Sequence, residues 1–192
     1  MEDIPRAFIG CRVPEPIAIA LAERIGTVRR DADARGLRRV HHARFHVTLR
    51  FLGRVAGAER AAIVTVVAPI ARSCAPIECR FGAVIALPSW RRAQVVAVEV
   101  RSNGALESLA RRVEDGLRVT FGVADKPFRA HVTVVRVERA RPSALRDARE
   151  RFAALSADVG AFVFDAFSLF RSDSTPDGPR YTAVEHFPFA AA

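Results

Sequence analysis

Lysine is almost missing from this chain. All of its 30 basic residues are arginine except Lys126, and with 21 acidic residues the formal net charge is +9. The planar guanidinium fork suits phosphate, so an anionic partner fits this surplus. An arginine-rich genome composition explains the same bias equally well, so charge alone decides nothing. Cysteine is scarce too. Cys11, Cys74 and Cys79 form an odd set without CxxC spacing, which argues against a disulfide framework and for a reducing compartment. The opening residues Met1 to Arg6 lack the basic-then-apolar layout of a secretory signal. No apolar run reaches the roughly 18 residues that a membrane span needs. These absences predict a cytoplasmic protein with no membrane partner. No linker rich in Gly, Ser or Pro and no low-complexity tract divides the 192 residues. Half of them are apolar and 27% are charged, enough for a core that needs no metal or disulfide. The expectation is one domain over 1–192, acting as a monomer.

Patterning predicts strands and helices in alternation. Strands are expected over 6–13, 37–40, 46–53, 77–87, 93–100, 130–137, 162–170 and 180–185. Helices are expected over 14–33, over 58–73 with a bend or end at Pro69, over 102–121 and over 142–152. Ser102 or Asn103 would cap the third helix, and Asp177-Gly178 marks a turn. The order of elements runs through once and then much the same again. This predicts an α+β fold, a single bilobal unit of two pseudo-symmetric lobes. Antiparallel sheets flanked by helices would enclose a central cleft.

One textual repeat stands out. His46-Val47-Thr48-Leu49 recurs as His131-Val132-Thr133-Val134, so two of the five histidines have Thr two positions later. Each copy falls on an expected strand. A period of two puts His and Thr on one face of the pleat, with the apolar residues anchored on the other. Side by side, the two strands would set two His-Thr pairs across one cleft. Paired imidazoles near neutral pKa can serve as opposed general acid and general base without a metal. Phosphodiester cleavage needs both, one to take a proton from water and one to protonate the departing oxygen. The threonine hydroxyls can donate to the phosphate oxygens as charge builds there.

The segments 45–53 (FHVTLRFLG) and 128–136 (FRAHVTVVR) resemble those of the two-histidine phosphoesterases. They are most similar to the branch known as RNA 2′,3′-cyclic phosphodiesterase, or bacterial 2′-5′ RNA ligase. The likeness continues in the strand at Arg6 to Gly10, the Trp90 region with its valine-rich strand, and the run Leu169 to Ser172 leading to Tyr181. Ala130 departs from the family's usual Pro, which should affect the start of the strand more than the chemistry. The resemblance implies hydrolysis of 2′,3′-cyclic phosphate ends of RNA to 2′-phosphomonoesters, with 2′-5′ ligation as the reverse. It implies His46 as proton donor and His131 as proton acceptor, with Thr48, Thr133 and Arg136 on phosphate and no cofactor or metal. Strict alternation puts Arg136 on the face opposite His131, so that role needs a strand end or a bulge.

Other residues carry weaker signals. Phe8, Trp90 and Tyr181 are candidates for stacking a base or lining the rim. His41 and His42 lie near His46, but no carboxylate or thiol with ligand spacing accompanies them, so a loop lining the cleft is expected rather than a metal site. His186 reads as a surface residue and Cys11 as a buried, inert thiol. Arg29-Arg30, Arg38-Arg39 and Arg91-Arg92 are candidates for a basic rim facing RNA. Two rival functions remain at this point. One is a phosphodiesterase acting on another cyclic or 2′-5′ linked nucleotide. The other is a non-catalytic RNA-binding module, although binding alone has no need of two imidazoles.

Overall fold

The computed structural model describes residues 2–26, 36–124, 126–138, 142–176 and 178–191. The strands are β1 (Ile4–Arg12), β2 (Leu37–Arg39), β3 (His46–Val55), β4 (Ile77–Leu87), β5 (Val95–Arg101), β6 (His131–Val137), β7 (Phe162–Phe164), β8 (Ala166–Asp173) and β9 (Arg180–Pro188). The helices are α1 (Glu15–Gly26), α2 (Glu59–Arg72), α3 (Ala105–Phe121) and α4 (Pro142–Ala153). Short 3-10 turns at His42–Arg44 and Trp90–Arg92 precede β3 and β5. The strands follow one antiparallel order, β7-β4-β5-β6-β3-β1-β8-β9, with β2 added alongside β6. The fold is α+β.

One expectation needs correction. The stretch 162–170 is two strands, not one. Asp165 breaks it, and β7 pairs with β4 while β8 pairs with β1. Apolar residues run densely through both pieces, so composition conceals a corner at which the chain changes neighbours and the phase of alternation slips by one. Pro69 does not end the second helix, which continues to Arg72. In the first helix the described part stops at Gly26, and the expected continuation to 33 lies outside the described residues. So do Arg29-Arg30 and Asp177.

Helix α3 forms as its spacing requires. Leu106, Leu109, Ala110, Val113 and Leu117 recur every three or four residues and are all buried. Ser102 Oγ accepts the backbone N–H of Leu106 at 3.0 Å, meeting one of the orphan donors of the first turn. Helix α3 packs on α2 and β3. Gly116 permits the close approach, since a Cβ there would stand 2.8 Å from Val66. The three cysteines are free and buried in the core. Burial pushes the Cys11 thiol far up and that of Cys79 to about 12, so both stay protonated and inert.

The two halves meet where β3 and β6 pair at a single position, Val47 with Val132. Each of these strands carries an irregularity just after its threonine. In β3 the register against β1 jumps from Gly10–Thr48 to Ile9–Arg50, and in β6 the register against β5 jumps from Ala97–Thr133 to Val96–Val135. Leu49 and Arg50 are therefore both buried, as are Val134 and Val135. Alternation restarts one residue late, and Phe51 and Arg136 return to the side of the sheet that carries the histidines. The start of β6 is held despite Ala130, whose carbonyl accepts the N–H of Val100 at 3.0 Å.

Candidate active site

Val47 and Val132 are the anchors, both fully buried. Because the strands are antiparallel, their pairing sets His46 beside Thr133 and Thr48 beside His131. The histidines then occupy one diagonal of a four-residue patch. Residues so placed in an unbroken ladder have Cβ atoms roughly 7–8 Å apart, a span that leaves room for a phosphate between two imidazoles. All four side chains are half-buried and share one open face. The sequence reading grouped these four, and the fold brings them together.

Each histidine makes the same local bond. His46 Nδ1 lies 2.7 Å from the carbonyl of Arg44, and His131 Nδ1 lies 2.7 Å from that of Arg129. A carbonyl can only accept, so Nδ1 carries the hydrogen in both rings and Nε2 is left to exchange a proton. This bond comes from the residue two positions upstream, which the motif alone does not reveal.

The surroundings of the two rings differ. His46 sits among aromatic rings: Phe8 at 4.7 Å between centroids, Tyr181 edge-on at 4.9 Å and Phe170 at 6.4 Å. Gly10 permits the close approach of β1 to β3 beside these rings, since a Cβ there would stand 2.6 Å from the Val47 carbonyl oxygen. Burial drives the His46 pKa down to about 4, opposed by the Arg44 carbonyl and assisted by the charges of Arg12, Arg136 and His131. His131 is lowered as well, again chiefly by burial, with the Arg129 carbonyl opposing and the Arg129 guanidinium assisting. A shallow surface depression is bordered by Phe8, Arg12, His46, Phe170 and Tyr181.

Arg136 reaches Tyr181, at the edge of this depression, because of the irregularity in β6. Its Nη2 donates to the Tyr181 hydroxyl at 3.3 Å, and Tyr181 touches His46. Trp90 lies apart from these rings and packs on Phe152 of α4, with centroids 6.4 Å apart. The rings of His41 and His42 lie against each other at a tilt, with centroids 4.2 Å apart. Among the described residues no group of three or more His, Cys, Asp or Glu could hold a metal ion. His186 is exposed and faces Ser168 Oγ at 3.2 Å. Sequence reasoning missed Arg12, whose guanidinium lies over the Phe170 ring at 5.3 Å, and it missed Phe51. Aligning the two motif copies residue by residue sets Phe51 against Arg136, a signal that was available.

The model of the 2′-5′ RNA ligase superfamily matches residues 16–176. The chain belongs to that superfamily. The RNA 2′,3′-cyclic phosphodiesterase of Archaeoglobus fulgidus is 32% identical over 152 residues, which cover 79% of this chain and 84% of the relative. Within the superfamily, the crystal structure of TT0787 from Thermus thermophilus superposes with a TM-score of 0.78 at 26% identity, over 96% of this chain and 97% of that one. Escherichia coli LigT, crystallised with 3′-AMP, superposes with a TM-score of 0.75 over 97% of this chain and 99% of its own. At 19% identity that second match bears on the superfamily fold alone.

Proposed function

We propose that this chain is a cyclic phosphodiesterase that opens 2′,3′-cyclic phosphates at RNA ends to 2′-phosphomonoesters. The observation that carries the reading is the pair of diagonal histidines, each with Nδ1 tied to a carbonyl and Nε2 left for proton transfer. His131 Nε2 takes a proton from water as its oxygen bonds to phosphorus. The bond from phosphorus to O3′ breaks, and His46 Nε2–H protonates O3′. Thr48, Thr133 and Arg136 donate to the non-bridging oxygens as charge accumulates. The assignment of donor and acceptor follows the resemblance, because the motif geometry itself is symmetric. Arg12 and Arg136 help keep His46 neutral in the empty site. A bound phosphate anion offsets both charges and favours the imidazolium that a donor requires. Both proton transfers are thus supplied by side chains, and the whole chain acts as one catalytic unit of two halves.

Phe51 completes the site. It is 65% exposed on the histidine face and stands where the other motif copy has Arg136. A large apolar ring left in water beside a phosphate site is suited to stack a nucleobase. One half of the molecule therefore offers charge and the other a flat ring, which orients the nucleotide. Phe51→Ala is expected to raise KM for 2′,3′-cyclic AMP about five- to hundredfold through lost stacking. Its melting temperature should stay near that of the parent, because so exposed a ring contributes little to the core. An unchanged KM removes Phe51 from the site. The activity itself is tested by incubating the purified protein with 2′,3′-cyclic AMP in excess EDTA. Turnover at the metal-replete rate is expected, and its absence contradicts the reading.

A further inference from the structure

Arg38 of β2 and Arg136 of β6 are register partners, and both reach over to the β8–β9 hairpin. Arg38 Nη2 donates to the Pro176 carbonyl at 3.0 Å, and Arg136 Nη2 donates to the Tyr181 hydroxyl at 3.3 Å. The ring of Tyr181 is in turn edge-on to His46 at 4.9 Å and to Phe8 at 5.1 Å. One half-buried side chain thus holds the phosphate-side arginine at its tip and borders the imidazole with its ring. We infer that Tyr181 is a positioning residue, which sets the Arg136 guanidinium against the phosphate and fixes the plane of His46.

The physical reason is preorganisation. An arginine side chain has several free torsions, and ordering them on binding costs affinity. A hydroxyl that accepts one N–H orders the fork beforehand and leaves its remaining donors for phosphate oxygens. The inference rests on the phosphodiesterase reading above, so its test pairs turnover with binding of inorganic phosphate.

Tyr181→Phe removes one oxygen and keeps the ring packing. Its expected effect is a rise of about five- to tenfold in KM for 2′,3′-cyclic AMP and in Kd for inorganic phosphate by calorimetry, the loss of one charge-assisted hydrogen bond. Because Arg136 also meets the charge that accumulates at phosphorus, kcat should fall as well, by no more than the same five- to tenfold while the ring still holds the plane of His46. Introduced into Arg136→Ala, the same substitution should add nothing, because the group it positions is gone. Tyr181→Leu should lower kcat further, and restoring the ring as Phe should recover that added loss. A Phe variant indistinguishable from the parent overturns the inference, as does a penalty that persists in the Arg136→Ala background. If the parent opens no cyclic nucleotide while phosphate affinity still falls only when Arg136 is present, the phosphodiesterase reading fails and the positioning role stands.

Discussion

Replacing either His46 or His131 by Ala is expected to lower kcat about 10²–10⁴-fold through loss of general acid or general base catalysis. Binding of inorganic phosphate should weaken far less, since Thr48, Thr133 and Arg136 remain in place. The two imidazoles act in one step, so the double variant should lose much less than the product of the single losses. Rate should follow a bell-shaped pH curve, because one ring must be neutral while the other is charged. The bound phosphate favours the His46 imidazolium, so the limb that reports His46 should lie at higher pH in kcat than in kcat/KM. A substrate whose leaving group needs no protonation should rescue His46→Ala and leave His131→Ala inactive. The reverse pattern would exchange the two roles. Stopped assays across pH 4–9 with both variants check each of these outcomes.

The largest expected effect on stability lies behind the site. The side chain of Arg50 is 3% exposed and pairs with Glu114 of α3. It also donates to the carbonyls of Phe121 at 3.2 Å and Gly122 at 2.8 Å, closing the C-terminal end of that helix. Glu114 in turn accepts the N–H of Ala124 at 2.9 Å. Removing the cation leaves a carboxylate and two carbonyls short of their partner in a poorly hydrated place. Arg50→Met is therefore expected to cost about 3–5 kcal/mol. For a chain of this length that corresponds to a fall of roughly 6–20 °C in melting temperature. Arg50→Met combined with Glu114→Leu should recover part of the loss, because no unpaired charge is left behind. A single variant that melts within about 2 °C of the parent would show that the pair does not hold α3 to β3.

How far the sequence could be read depends on the separation in the chain of the residues concerned. Helix α3 and strands β3 to β6 were legible because their signals are local: spacing of three and four in one case, alternation in the other. The grouping of the two His-Thr pairs was legible because each motif carries its own parity, whereas their diagonal placement follows from the antiparallel pairing of Val47 with Val132. Three features were not. Phe162 and Phe164 share one parity and Phe167 and Leu169 the other, but the dense apolar run over 162–170 reads as a single strand and hides the change of partner at Asp165. The irregularities at Leu49 and Val134 arise from pairing with β1 and β5, and they move Phe51 and Arg136 to the active face against the simple count of twos. The rings around His46 come from β1, β8 and β9, brought together by strand order alone. Of the aromatic candidates, Phe8 and Tyr181 stand at His46, whereas Trp90 packs on α4.

The central claim is that opposed imidazoles drive water into the phosphorus and expel O3′. Phosphorus NMR of the product formed from 2′,3′-cyclic AMP, with EDTA present throughout, tests it most directly. The account predicts a single new resonance, that of 2′-AMP, accumulating at the rate seen without EDTA. Formation of 3′-AMP, or turnover that stops with chelation and returns with zinc, would contradict it.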